Sequence, residues 1–72
     1  MNKYIIIPEG CRWSTQSAAD AKTAYCLICS WYSPETRTAV LDPETGETRI
    51  FTRVLDPAGN LKKVIEHHTL DA

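Results

Sequence analysis

Val40-Leu41-Asp42-Pro43-Glu44-Thr45-Gly46 and Val54-Leu55-Asp56-Pro57-Ala58-Gly59-Asn60 repeat one message fourteen residues apart: a strand that ends in a tight turn. Proline fixes φ for the first bend and aspartate can accept hydrogen bonds from the backbone that follows it. Glycine takes the positive φ that closes the loop. The strands on either side of these turns are Thr36 to Leu41, Glu47 to Leu55 and Leu61 to about His68, so the C-terminal half reads as a β-meander of two successive hairpins. The doubled tetrapeptide is too short to be a solenoid unit.

Upstream, Lys3-Tyr4-Ile5-Ile6-Ile7-Pro8 reads as a first strand, rich in β-branched residues and stopped by proline. It is apolar on both faces, which places it inside a sheet rather than at an edge. Glu9 to Ser14 is a connection with Gly10 as its flexible point. Ser17 to Tyr32 is the one helix expected. Ser17 can cap it with Asp20 closing a short capping box, or Ser14 can cap it with Trp13 stapled onto Ala18. At about 100° per residue, Ala21, Ala24, Tyr25, Ile28 and Tyr32 share a stripe, and Ser33-Pro34 ends the helix.

The resulting order is β-α-β-β-β over a single small α+β domain, 1–72. The expected architecture is a single-layer, four-stranded, mostly antiparallel sheet with the helix packed on one face and the other face open. The expected core is Ile5 or Ile7, Ala21, Tyr25, Ile28, Val40, Ile50 and Val54. Asp-Pro-Ala-Gly-Asn-Leu at 56–61 is similar to the turn motif of the tyrosine-aspartate (Rhs-type) repeats. The resemblance covers six residues without the tandem copies, and it implies turn chemistry but no function.

Composition narrows the classes. A chain of 72 residues has 8 Lys and Arg against 9 Asp and Glu, a net charge of −1. It lacks the basic excess that drives non-specific nucleic-acid binding. The early apolar run, Tyr4 to Ile7, falls short of the roughly 7–15 residues of a secretory core and the roughly 20 of a spanning helix, so a cytoplasmic, non-membrane protein is expected. Three cysteines, an odd number, read as reduced thiols. A domain this small hides only about 60% of its unfolded surface, so a dimer or complex would help it.

Cys26-Leu27-Ile28-Cys29, with Cys11 upstream and His67-His68 downstream, is a candidate thiol-type metal set. Mid-helix placement argues against a zinc knuckle. It also argues against a redox pair, which needs its first cysteine at a helix N-terminus. Adjacent histidines on a strand point to opposite faces, so one at most could join a site. The expectation is structural thiols, no metal and no cofactor. The sequence marks no nucleophile–base constellation around the histidines, and no catalytic residue is assigned.

Arg49-Ile50-Phe51-Thr52-Arg53 carries the functional expectation. Alternation puts Ile50 and Val54 on one face and Arg49, Phe51, Arg53 and Leu55 on the other. If Ile50 and Val54 meet the helix, an aromatic between two cations looks outward from the open sheet. That patch would anchor a protein partner or a second copy of the chain, or alternatively stack single-stranded nucleic acid. The opposite reading packs Phe51 under the helix with the arginines at its rim. Trp13, Trp31 and Tyr32 bracket the helix as core and staple residues, with Trp31 at the stripe edge the one expected to reach a partner. The partner-binding set is therefore Arg49, Phe51, Arg53 and Trp31. The class is a small non-enzymatic interaction protein. Chains of this size and architecture occur among phage and mobile-element products, including inhibitors of host defence.

Overall fold

The computed structural model describes residues 1–67. Five strands, one short helix and a 3₁₀ turn follow in the order β1 (Asn2–Pro8), β2 (Ser14–Ala18), α1 (Ala21–Ile28), the 3₁₀ turn (Cys29–Trp31), β3 (Thr38–Leu41), β4 (Thr48–Leu55) and β5 (Leu61–His67). All neighbouring strands are antiparallel, in the spatial order β2-β1-β3-β4-β5. The protein is thus α+β with an antiparallel sheet of five strands rather than four.

The additional strand is Ser14–Ala18, where a helix start was expected. Gly10 holds φ +76° and the Cys11 amide donates to the Pro8 carbonyl at 3.1 Å, so the chain reverses directly after β1. Residues 14–18 then pair with Asn2 to Ile6. Only Ala18 of this strand is buried, so it lacks the hydrophobic alternation by which a strand is read. The helix consequently begins four residues later than expected. Its cap is Asp20, whose carboxylate accepts from the Thr23 amide at 2.8 Å.

That bond holds the exposed Asp20 carboxyl below its usual value of 3.8. A depressed folded-state pKa means a contribution present above the unfolded value and lost as pH falls through the folded one. The melting temperature of Asp20→Asn, which caps without titrating, should therefore converge on that of wild type below about pH 3.8. A constant gap down to the lowest pH tested would remove the capping carboxylate from the account.

The turns meet expectation. Asp42 and Asp56 each accept backbone amides on their side chains, from Glu44 and from Ala58 and Asn60, all at 2.9 Å. Gly46 and Gly59 hold φ +77° and +89°. A Cβ at either glycine would meet nothing within 4 Å. The cost of Gly46→Val or Gly59→Val is therefore backbone strain alone, about 1 kcal/mol or more each in chemical denaturation. An unchanged midpoint for both would show that the turns relax without glycine.

β2 and β3 both run antiparallel to β1 and flank it, so α1 must cross over β1 to join them. Its buried residues Ala21, Ala24, Tyr25 and Ile28 form one cluster with Tyr4, Ile6, Ala18, Cys29, Val40 and Phe51, with Tyr32 and Val64 packed at the side. Two expected core parities are corrected by this cluster. On β1 it is Ile6, fully buried, that faces the helix, while Ile7 is 43% exposed and Ile5 half-buried. On β4 it is Phe51, 1% exposed, rather than Ile50 and Val54. The expected helix residues and Val40 are in the core as read.

Candidate functional site

Directly opposed residues in an antiparallel ladder share a face, so the register assigns both sides of the sheet. Ile6 pairs with Val40, Val40 with Arg49, and Thr38 with Phe51. All of these stand on the helix side. The sequence-derived patch is therefore turned inward. Phe51 stacks on Tyr25 with ring centroids 5.3 Å apart and planes inclined by 23°. Burial pushes the Tyr25 hydroxyl up, and the nearby Arg53 guanidinium opposes that shift. Arg53 donates through Nη1 to the Cys29 carbonyl, which also accepts the Tyr32 amide at 3.2 Å as the 3₁₀ turn closes. Arg49 lies at the perimeter, 3.3 Å from Glu47 and 3.7 Å from Glu66.

Phe51 as an outward platform is thus incorrect. An eight-residue helix covers the middle of one face, and long cationic side chains fill the margin it leaves. Trp31 is 77% exposed. Trp13 is 64% exposed and is not stapled onto Ala18.

The opposite face carries a different set. Ile5 pairs with Leu41 and Leu41 with Thr48; Ile7 pairs with Ala39, Ala39 with Ile50, and Ile50 with His67. Thr52 pairs with Ile65 and Val54 with Lys63. These strands present a band of aliphatic side chains that are half-buried or exposed. Trp13 precedes β2 with the parity of Thr15 and Ser17, which also belong to this face. Lys3 and Lys63 are the Lys, Arg, Asp or Glu residues that the register assigns to it, one at the start of β1 and the other on the far end of the β4–β5 ladder beside the unpaired Lys62. His67 shares a 2.7 Å hydrogen bond with the Thr52 hydroxyl across the same ladder.

Sequence reasoning missed Ile7, Ile50 and Trp13 as surface residues. Both parities of β1 and β4 are apolar, so alternation alone offers two answers. A tryptophan just outside the polar β2 gives no sign that it is not buried.

The thiols are dispersed in role. Cys11 and Cys26 are exposed, whereas Cys29 is buried and donates its thiol to the Cys26 carbonyl at 3.5 Å. Partial burial and the neighbouring Cys29 push the Cys26 thiol up, which keeps it protonated and poorly nucleophilic at neutral pH. Among the described residues no three His, Cys, Asp or Glu side chains come together as a ligand set. His68 lies outside the described residues. Among those described there is no pocket, and no helix is long and apolar enough to cross a membrane. No protein-family model, curated protein or solved structure matches the chain.

Proposed function

We propose that this chain is a small, non-enzymatic docking protein that engages another protein through the sheet face opposite its helix. The observation that carries the reading is the aliphatic band of Ile5, Ile7, Ala39, Leu41, Ile50, Val54 and Ile65 on the sheet face opposite α1. A contiguous apolar patch of this kind contributes nothing to folding while it faces water and marks an interaction surface. Trp13 at its border is the residue type that most often anchors such contacts.

Charge indicates the kind of partner. The described strands of this face offer Lys3 and Lys63 and no carboxylate, which suits an aliphatic surface bordered by acidic groups. Single-stranded nucleic acid is the weaker reading. Base stacking needs aromatic rings, and the described strands of this face carry His67 alone, Tyr4 and Phe51 being on the helix side. Among the described residues there is no pocket, which favours surface docking over chemistry on a small molecule.

A photo-crosslinking residue at Ile50 should capture the partner, whereas one at Lys22 on the exposed side of the helix should not. Ile7→Lys combined with Ile50→Lys should abolish binding with native circular dichroism. Crosslinking from Lys22 alone, or undiminished binding by the double variant, would move the interface off this face.

A further inference from the structure

The two edges of the sheet are built differently. β5 carries Lys62, Lys63 and Glu66, and its pairing with β4 is interrupted by a register shift at Val54/Leu55. Charges and irregular pairing are the devices by which edge strands refuse further neighbours. β2, the other edge, reads Ser-Thr-Gln-Ser-Ala. It has no charge, no proline and an uninterrupted register with β1 from Asn2↔Ala18 to Ile6↔Ser14. Its outer backbone groups face no described strand.

We infer that β2 pairs antiparallel with β2 of a second copy, about a two-fold axis through Gln16, so that two five-stranded sheets become one. The sequence around Gln16 is self-complementary in that register. Gln16 meets Gln16, whose amide is both donor and acceptor. Thr15 meets Ser17, a hydroxyl pair, and Ser14 meets Ala18 without steric conflict. Continued one step outward, the same register sets the exposed Trp13 opposite the small Ala19. One step further it sets Arg12 opposite Asp20, both exposed, once at each end of the junction.

Shifting the axis to Thr15 or Ser17 separates those opposite charges, so charge selects the register while the backbone ladder supplies the attraction. In this register α1 of both copies lies on the same side of the joined sheet, and the aliphatic faces become continuous on the other. The pairing uses the β2 edge and leaves the aliphatic band of the proposed partner face uncovered, with Trp13 bordering both.

Light scattering after size exclusion, over a concentration series, should give a dimer that dissociates on dilution. Gln16→Lys and Gln16→Glu each place like charges at the axis and should raise the dimer dissociation constant about tenfold or more. An equimolar mixture of the two should restore association. Arg12→Glu, which opposes Asp20 with its own sign, should weaken the dimer as well. Independently of any variant, amides of residues 14–18 that are not bonded to β1 should exchange more slowly as concentration rises. A wild-type chain monomeric at millimolar concentration would overturn the inference. So would a dimer indifferent to both Gln16 variants, or one broken instead by Ile7→Lys with Ile50→Lys.

Discussion

Phe51→Ala should leave the chain unfolded at 25 °C. Phe51 is 1% exposed and stacks on Tyr25, and Thr38 and Val40 of the neighbouring strand stand on the same side of the sheet. Truncating a phenylalanine in such a position costs about 3–5 kcal/mol, through lost transfer free energy and the cavity left behind. A domain of this length holds only about 3–5 kcal/mol from its core, so the loss consumes most or all of the stability. Adding Arg53→Glu removes one of two donors to the Cys29 carbonyl and sets a carboxylate against that oxygen. Circular dichroism and a thermal melt read the result. A Phe51→Ala protein with native spectrum and an unshifted midpoint would mean that the aromatic is not part of the core.

Ile6→Ala and Ile7→Ala should differ sharply, although the residues are identical and adjacent. Ile6 is fully buried beneath the helix that crosses β1, whereas Ile7 is 43% exposed on the other face. The first substitution should cost about 2–5 kcal/mol and the second no more than about 1 kcal/mol. Urea midpoints compared at constant slope separate them. Equal losses, or a larger loss at Ile7, would reverse the assignment of faces on which the proposed docking surface depends. The inverse ordering should appear in partner binding, where Ile7→Lys is disruptive and Ile6 is out of reach.

The turns were the most legible part of the chain, because their chemistry is local. Asp42 and Asp56 bond to amides within four residues, and Gly46 and Gly59 take a backbone conformation that no distant contact needs to explain. The helix stripe of Ala21, Ala24, Tyr25 and Ile28 was legible for the same reason, since one period fits one buried face. β2 was not, because a polar edge strand is held by its ladder to β1 rather than by its own pattern. Its presence shortened the helix from the N-terminal side and made Asp20, not Ser17 or Ser14, the cap.

The patch around Phe51 was legible as a group but not in its orientation. Alternation correctly united Arg49, Phe51 and Arg53 on one face, and the structure keeps them together. It could not say which face. The amino-acid sequence by itself determined the α+β class, both Asp-Pro turns, the buried stripe of the helix and the partition of each strand into two sets of side chains. Only the tertiary structure decided which set was buried. Both sets on β1 and β4 are apolar enough to form a core, and a strand's period of two is symmetric between its faces. The symmetry is broken by the crossing of α1 over β1, which seats Tyr25 on Phe51 and leaves Ile7, Ile50 and their neighbours facing away from the helix.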